Sequence, residues 1–190
     1  AAFTFVVCTQ QHQHVFDCDD ERQTPQDERE DADGGVGRLR KFSGRGGGGT
    51  TSNVRLPFDG ALSFVFSDPR VDGVITNLES WVRPSRVLKV LPTGQAVNTG
   101  WAAPPAIDVS PYASEELFAT ARDGTRIPVS VVYKKGTPRD GSAPTIIDAY
   151  GAYAINSDPY FGPRFIAWLE RGGVWATAHV RGGGEYGRAW

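Results

Sequence analysis

Methionine is missing from all 190 residues, and cysteine (two) and histidine (three) are scarce. Two cysteines, Cys8 and Cys18, are too few to assign a redox compartment. No apolar run approaches the roughly 20 residues that span a bilayer, so no membrane-crossing helix is predicted. Neither sign of charge dominates: the net charge of -2 gives no nucleic-acid footprint and no membrane-surface patch. The start, AAFTFVVC, has no basic region, no initiator methionine and no clear small-residue cleavage site, and makes a poor signal peptide. The total lack of methionine reads as an interior or truncated piece of a longer product. What is present, 39% hydrophobic and 22% charged residues, is close to the globular average, so much of the chain is expected to bury a core.

The first 53 residues are expected to be disordered. Cys8, His12, His14 and Cys18 form a near-symmetric C-x3-H-x-H-x3-C array of four zinc-type ligands. Its spacing is that of no known zinc module and its glutamine neighbours offer no frame, so it is read as unstructured polar sequence. Neither a metal nor a cofactor is expected. Residues 17 to 33 are mostly acids, a run that cannot repay the entropy of ordering. Residues 34 to 53 are rich in glycine and small polar residues. Gly44, Gly46 and Gly49 fit a dinucleotide fingerprint formally, and Gly44 to Thr51 a phosphate loop lacking its lysine. Neither follows an apolar strand, so a flexible linker is expected.

Order is predicted from Val54. Short β-type runs at Ala61–Phe66, Val74–Trp81, Ser85–Leu91 and Gln95–Asn98 are separated by Asp68-Pro69, Asp72-Gly73, Arg83-Pro84 and Pro92-Thr93-Gly94. This spacing matches one four-stranded meander the size of a propeller blade. Pro104, Pro105 and Pro111 then mark a domain boundary. Beyond it, Glu115–Ala121 and Arg126–Tyr133 flank Asp123-Gly124, a two-residue type I′ hairpin signal. In the second strand Ile127, Val129, Val131 and Tyr133 are expected to form the buried face. Thr145–Tyr150 is an apolar strand. A helix capped by Asp158 follows, with Phe161, Phe165, Trp168 and Leu169 on one stripe, and Gly172-Gly173 ends it. Val174–Val180 is a buried strand, and the three elements make a βαβ unit.

Both strands of that unit end on one edge of a parallel sheet, where α/β proteins bind ligands. Gly182, Gly184 and Gly187 satisfy G-x-G-x-x-G there, but Glu185 inside the motif would repel a pyrophosphate, and the strand is not the first of its unit. A serine-hydrolase reading lacks a G-x-S-x-G elbow in this sequence. His179 is expected to be a packed strand histidine. Tyr150, at a strand end beside Gly151, is either a half-buried aromatic or a hydroxyl aimed into a crevice to meet developing negative charge.

The run from Ser114 to Trp190, carried by FATARDGTRIPVSVVYKKG, TIIDAYGAY and GGVWATAHVRGGGEYGRAW, resembles the prolyl oligopeptidase family of serine peptidases. The segment from Val54 to Pro111 resembles that family's last propeller-blade region, and residues 1 to about 50 match nothing, which makes a frame or assembly error a live reading. The resemblance implies an α/β fold: the beginning of an α/β-hydrolase domain (112–190) preceded by part of a β-propeller (54–111). It also implies cleavage of short peptides on the carboxyl side of proline. Tyr150 takes the place of the family's oxyanion-hole tyrosine, and Arg181 to Gly187 that of its glycine turn. By the same resemblance the serine, aspartate and histidine of the triad lie downstream of Trp190, so this stretch alone is expected to be inactive. A non-catalytic β-rich interaction module and a nucleotide-binding domain are the competing expectations.

Overall fold

The computed structural model describes residues 4–9, 37–44, 49–66, 68, 70 and 72–190. The first sheet comprises β1 (Thr4–Thr9), β2 (Gly37–Gly44) and β3 (Gly49–Asn53), antiparallel in that order. At these three strands the expectation of disorder and of a flexible linker is corrected; the rest of residues 1–53 lies outside the described residues. Ladder pairs such as Phe42↔Thr51 and Val7↔Leu39 give the backbone donors and acceptors partners that composition alone does not foresee. Cys8 lies on β1, whereas His12, His14, Cys18, the acidic run 17–33 and Gly46 lie outside the described residues.

The second sheet is the predicted meander. β4 (Ala61–Phe66), β5 (Val74–Glu79), β6 (Arg86–Val90) and β7 (Ala96–Asn98) pair antiparallel in chain order. Strict alternation on β5 turns Val74, Thr76 and Leu78 inward, where they meet Val54, Leu62, Leu88 and Val90. Between β6 and β7 the Pro92-Thr93-Gly94 signal becomes a tight turn: the Gly94 N–H donates to the Leu91 carbonyl at 2.8 Å, with Gly94 at φ 88°.

The third sheet contains β8 (Tyr112–Thr120), β9 (Arg126–Lys134), β10 (Thr145–Asp148) and β11 (Val174–Ala178), in the order β10-β11-β9-β8. β10 and β11 are parallel, joined through α1 (Pro163–Leu169), which is the predicted βαβ unit. Three local expectations change. The β8–β9 turn is not type I′, since only Gly124 (φ 84°) is left-handed and Asp123 is not. The Ala121 N–H donates to the Thr125 carbonyl and the Gly124 N–H to the Ala121 carbonyl, the pattern of a longer loop with a glycine bulge. The helix starts at Pro163 with Gly162 as its cap, not at Asp158, because proline at the first helical position has its φ preset and no N–H to satisfy. On β9 the more deeply buried face is Pro128, Ser130 and Val132: β9 is an inner strand covered on both sides, so polarity does not mark a solvent face.

Phe165, Ile166 and Leu169 of α1 pack on Val132 and Tyr112, with the Trp175 ring 4.5 Å from that of Phe165 between centroids and tilted by 38°. Trp81, from just after β5, enters the same cluster, and Glu79 accepts the Phe161 N–H at 2.9 Å. Packing therefore crosses the boundary that the prolines suggest.

Candidate active-site edge

The parallel register Thr145↔Val174 to Asp148↔Thr177 brings the carboxyl ends of β10 and β11 to one edge. Tyr150-Gly151 leaves one strand there and Arg181 to Gly187 leaves the other, as the sequence predicts. The two loops touch backbone to backbone. A Cβ on Gly182 (φ 97°) would fall on the Gly151 carbonyl oxygen, and one on Gly151 (φ 61°) would meet the Val180 side chain and the Arg181 carbonyl. Glycine is required at both positions by this approach as well as by φ. The Ala154 N–H donates to the Gly182 carbonyl at 2.9 Å. Tyr153 (φ 55°) and Ala154 (φ 52°) are left-handed without being glycine, a conformation costing about 1–3 kcal/mol each. That strain lies three and four residues after Tyr150.

Tyr150 lies two residues past β10 and is 58% exposed, so it is not a half-buried strand-end aromatic. Its hydroxyl has no hydrogen-bond partner among the described residues. Arg181 is engaged elsewhere: its Nη1 donates to the Asp123 carboxylate in the hairpin turn, and Asp123 is held at a pKa of about 2, chiefly by that bond. Residues 182–187 form turns and open no helix, so the G-x-G-x-x-G match lacks the helix N-terminus that binds a pyrophosphate.

His179 is buried as expected, but it is a member of a chain of polar contacts. Its Nε2 lies 2.9 Å from Ser130 Oγ and its Nδ1 lies 3.4 Å from Glu185 Oε1. The same Oε1 accepts the Ser157 N–H at 3.0 Å. Burial pushes the Glu185 carboxyl up, yet the bonds from His179, from the Ser157 N–H and from its own N–H outweigh it and leave the pKa lowered. Asp158 moves the other way, raised by desolvation and by the Glu185 carboxylate. Ser130 also borders a cavity of about 250 Å³ between the meander and the β8–β9 hairpin, walled by Phe58, Trp81, Arg83 and Glu116. Tyr150 is not part of that wall, so the cavity and the Tyr150 edge are separate places. Neither Ser130 nor Glu185, which the sequence marks only as a charge unfavourable to a pyrophosphate, is foreseen as a partner of His179. The available signal was a serine on an inner strand, since a buried hydroxyl needs a partner and histidine was the nearest candidate.

No family model matches the chain. The prolyl endopeptidase of Elizabethkingia meningoseptica is 34% identical over 140 residues, covering 72% of this chain and 19% of its own length. Dipeptidyl aminopeptidase BI of Pseudoxanthomonas mexicana is 39% identical over 147 residues, covering 70% of this chain and 20% of its own length. The chain thus spans about a fifth of the length of these curated relatives. A solved prolyl endopeptidase structure is similar with a TM-score of 0.73 and 32% identity, over 82% of this chain and 23% of the other. Prolyl oligopeptidase B of Galerina marginata, bound to a 25mer macrocyclization substrate, gives 0.73 at 25% identity over 82% of this chain and 22% of the other.

Proposed function

Because this chain belongs to the prolyl oligopeptidase family of serine peptidases, we propose that its third sheet forms one wall of a peptidase active site, with the Tyr150 hydroxyl as an oxyanion donor. The observation that carries this reading is the exposed Tyr150 hydroxyl, without a hydrogen-bond partner among the described residues, at the carboxyl edge of β10 and β11. β8 to β11 with α1 are the opening of an α/β-hydrolase domain, and β4 to β7 are one blade of a propeller. The substrates are short peptides cut on the carboxyl side of proline. When a serine oxygen adds to the scissile carbonyl, negative charge collects on the carbonyl oxygen. A phenol already in place donates to that oxygen without reorganising solvent. No G-x-S-x-G occurs in this sequence, and in this reading the full-length enzyme supplies the nucleophilic serine from its other residues.

One assay with a Gly-Pro reporter peptide tests both halves. The 190-residue chain gives no serine-inhibitor-sensitive cleavage, and a robust rate would refute the division of labour. In the full-length enzyme Tyr150→Phe lowers kcat by about 100-fold to 1,000-fold with a modest change in KM. Unchanged turnover would remove Tyr150 from the mechanism.

A further inference from the structure

We infer that Glu185, anchored through His179 to Ser130, is a positioning residue that holds the Tyr150 loop in its working conformation. The inference rests on the reading of Tyr150 as oxyanion donor. The loop that begins at Tyr150 contains two consecutive strained residues, Tyr153 and Ala154. Strain of that kind persists only where the surroundings over-determine the backbone. Two hydrogen bonds from the neighbouring loop do this. The Gly182 carbonyl takes the Ala154 N–H at 2.9 Å, and Glu185 Oε1 takes the Ser157 N–H at 3.0 Å.

Glu185 is suited to that role because it is itself fixed. It is 2% exposed, and it folds back so closely that a Cβ on Gly183 would strike its carboxylate. Next to it, Gly184 passes the Ala154 carbonyl and Asn156, where a Cβ would sit 2.7 Å and 2.5 Å away. Below, His179 connects the carboxylate to Ser130, a residue of the inner strand β9. The polar chain Ser130–His179–Glu185–Ser157 therefore runs from the rigid centre of the sheet to the far end of the loop that presents Tyr150. One oxygen, Oε1, makes both the Ser157 and the His179 contacts. The required property is an acceptor at that point, so glutamine, whose carbonyl oxygen can take the same place, preserves it and alanine does not.

The test is a double-mutant cycle in the full-length enzyme, with kcat and KM measured on a proline reporter peptide. Glu185→Ala lowers kcat by about 10-fold to 100-fold, the scale of a small misplacement of a catalytic group, with KM within about threefold. Glu185→Gln restores most of the loss. Glu185→Ala adds little to Tyr150→Phe, because both changes act through one hydroxyl. Additive losses, or wild-type kcat in Glu185→Ala, overturn the proposal. Should Glu185→Ala fail to fold, Ser130→Ala replaces it in the cycle: a smaller kcat loss that vanishes in the Tyr150→Phe background supports the proposal, and wild-type turnover or full additivity overturns it. Tyr150→Phe without effect defeats the underlying reading of Tyr150, and a Glu185→Ala loss seen alongside it shows Glu185 acting by another route.

Discussion

At Tyr112 a single phenol joins the β8–β9 hairpin to the end of α1. Its hydroxyl donates to Glu170 Oε1 at 2.7 Å, while Lys134 Nζ donates to the other carboxylate oxygen at 2.8 Å. The bond to Glu170, with burial and the charges of Glu170 and Asp108 behind it, pushes the phenol up to about 12 from its ordinary 10. A proton held more tightly in the folded state than in the unfolded one stabilises the fold in full below the unfolded pKa. That contribution is lost as pH rises from about 10 to about 12, where the unfolded phenol has ionised and the folded one has not. Denaturant midpoints are expected to fall across this window in the wild type, and the part due to this residue disappears in Tyr112→Phe. Identical alkaline profiles for the two proteins would show that the Tyr112–Glu170 bond does not set the dependence.

Among the elements of the described residues, β10, like β8, is an edge of the third sheet. All four of its residues are exposed, Ile147 at 69%, although two of the four are isoleucines. An apolar strand with one free ladder is a template for a second strand. The 190-residue chain is therefore expected to self-associate through β10, and Ile147→Lys shifts its sedimentation or elution towards monomer. No shift would place the association elsewhere. The same strand shows what was legible in the sequence. The order of elements was readable because the turn signals Asp72-Gly73, Pro92-Thr93-Gly94 and Gly172-Gly173 are local, and the chain bends or turns at each, with a left-handed glycine at Gly73, Gly94 and Gly172. The buried face of β9 and the strands β2 and β3 were not, because both depend on what covers or pairs with the chain from far away. In the candidate site, Tyr150 and the glycine turn were legible as strand-end features. The Ser130–His179–Glu185 chain was not: its members lie 49 and 6 residues apart, and only the pairing of β9 with β11 brings them together.

On the scale of the whole molecule, the meander and the third sheet are joined by an aromatic cluster that straddles the proline-rich segment. Trp81 is 6% exposed and stands 5.8 Å from Tyr160 and 6.4 Å from Phe165 between ring centroids. The bond from the Phe161 N–H to Glu79 lies alongside it. A sheet of four short strands has one face that needs cover, and Trp81 extends the meander's packing into the second core. Coupling of this kind makes two cores melt as one. Calorimetry of the chain is expected to show one transition for the meander and the third sheet together. Trp81→Ala removes a large buried ring at a cost of about 3–5 kcal/mol, and because that ring packs on Tyr160 and Phe165, the loss falls on the coupling. The variant is expected to melt in two steps, the meander first, since the buried members of its hydrophobic core are all valine and leucine, with Phe58 only partly buried against them, while the third sheet keeps Phe165, Trp175 and Leu169. Two separate transitions already present in the wild type, or one undivided and unshifted transition in the variant, would mean that the sheets are stabilised independently of Trp81.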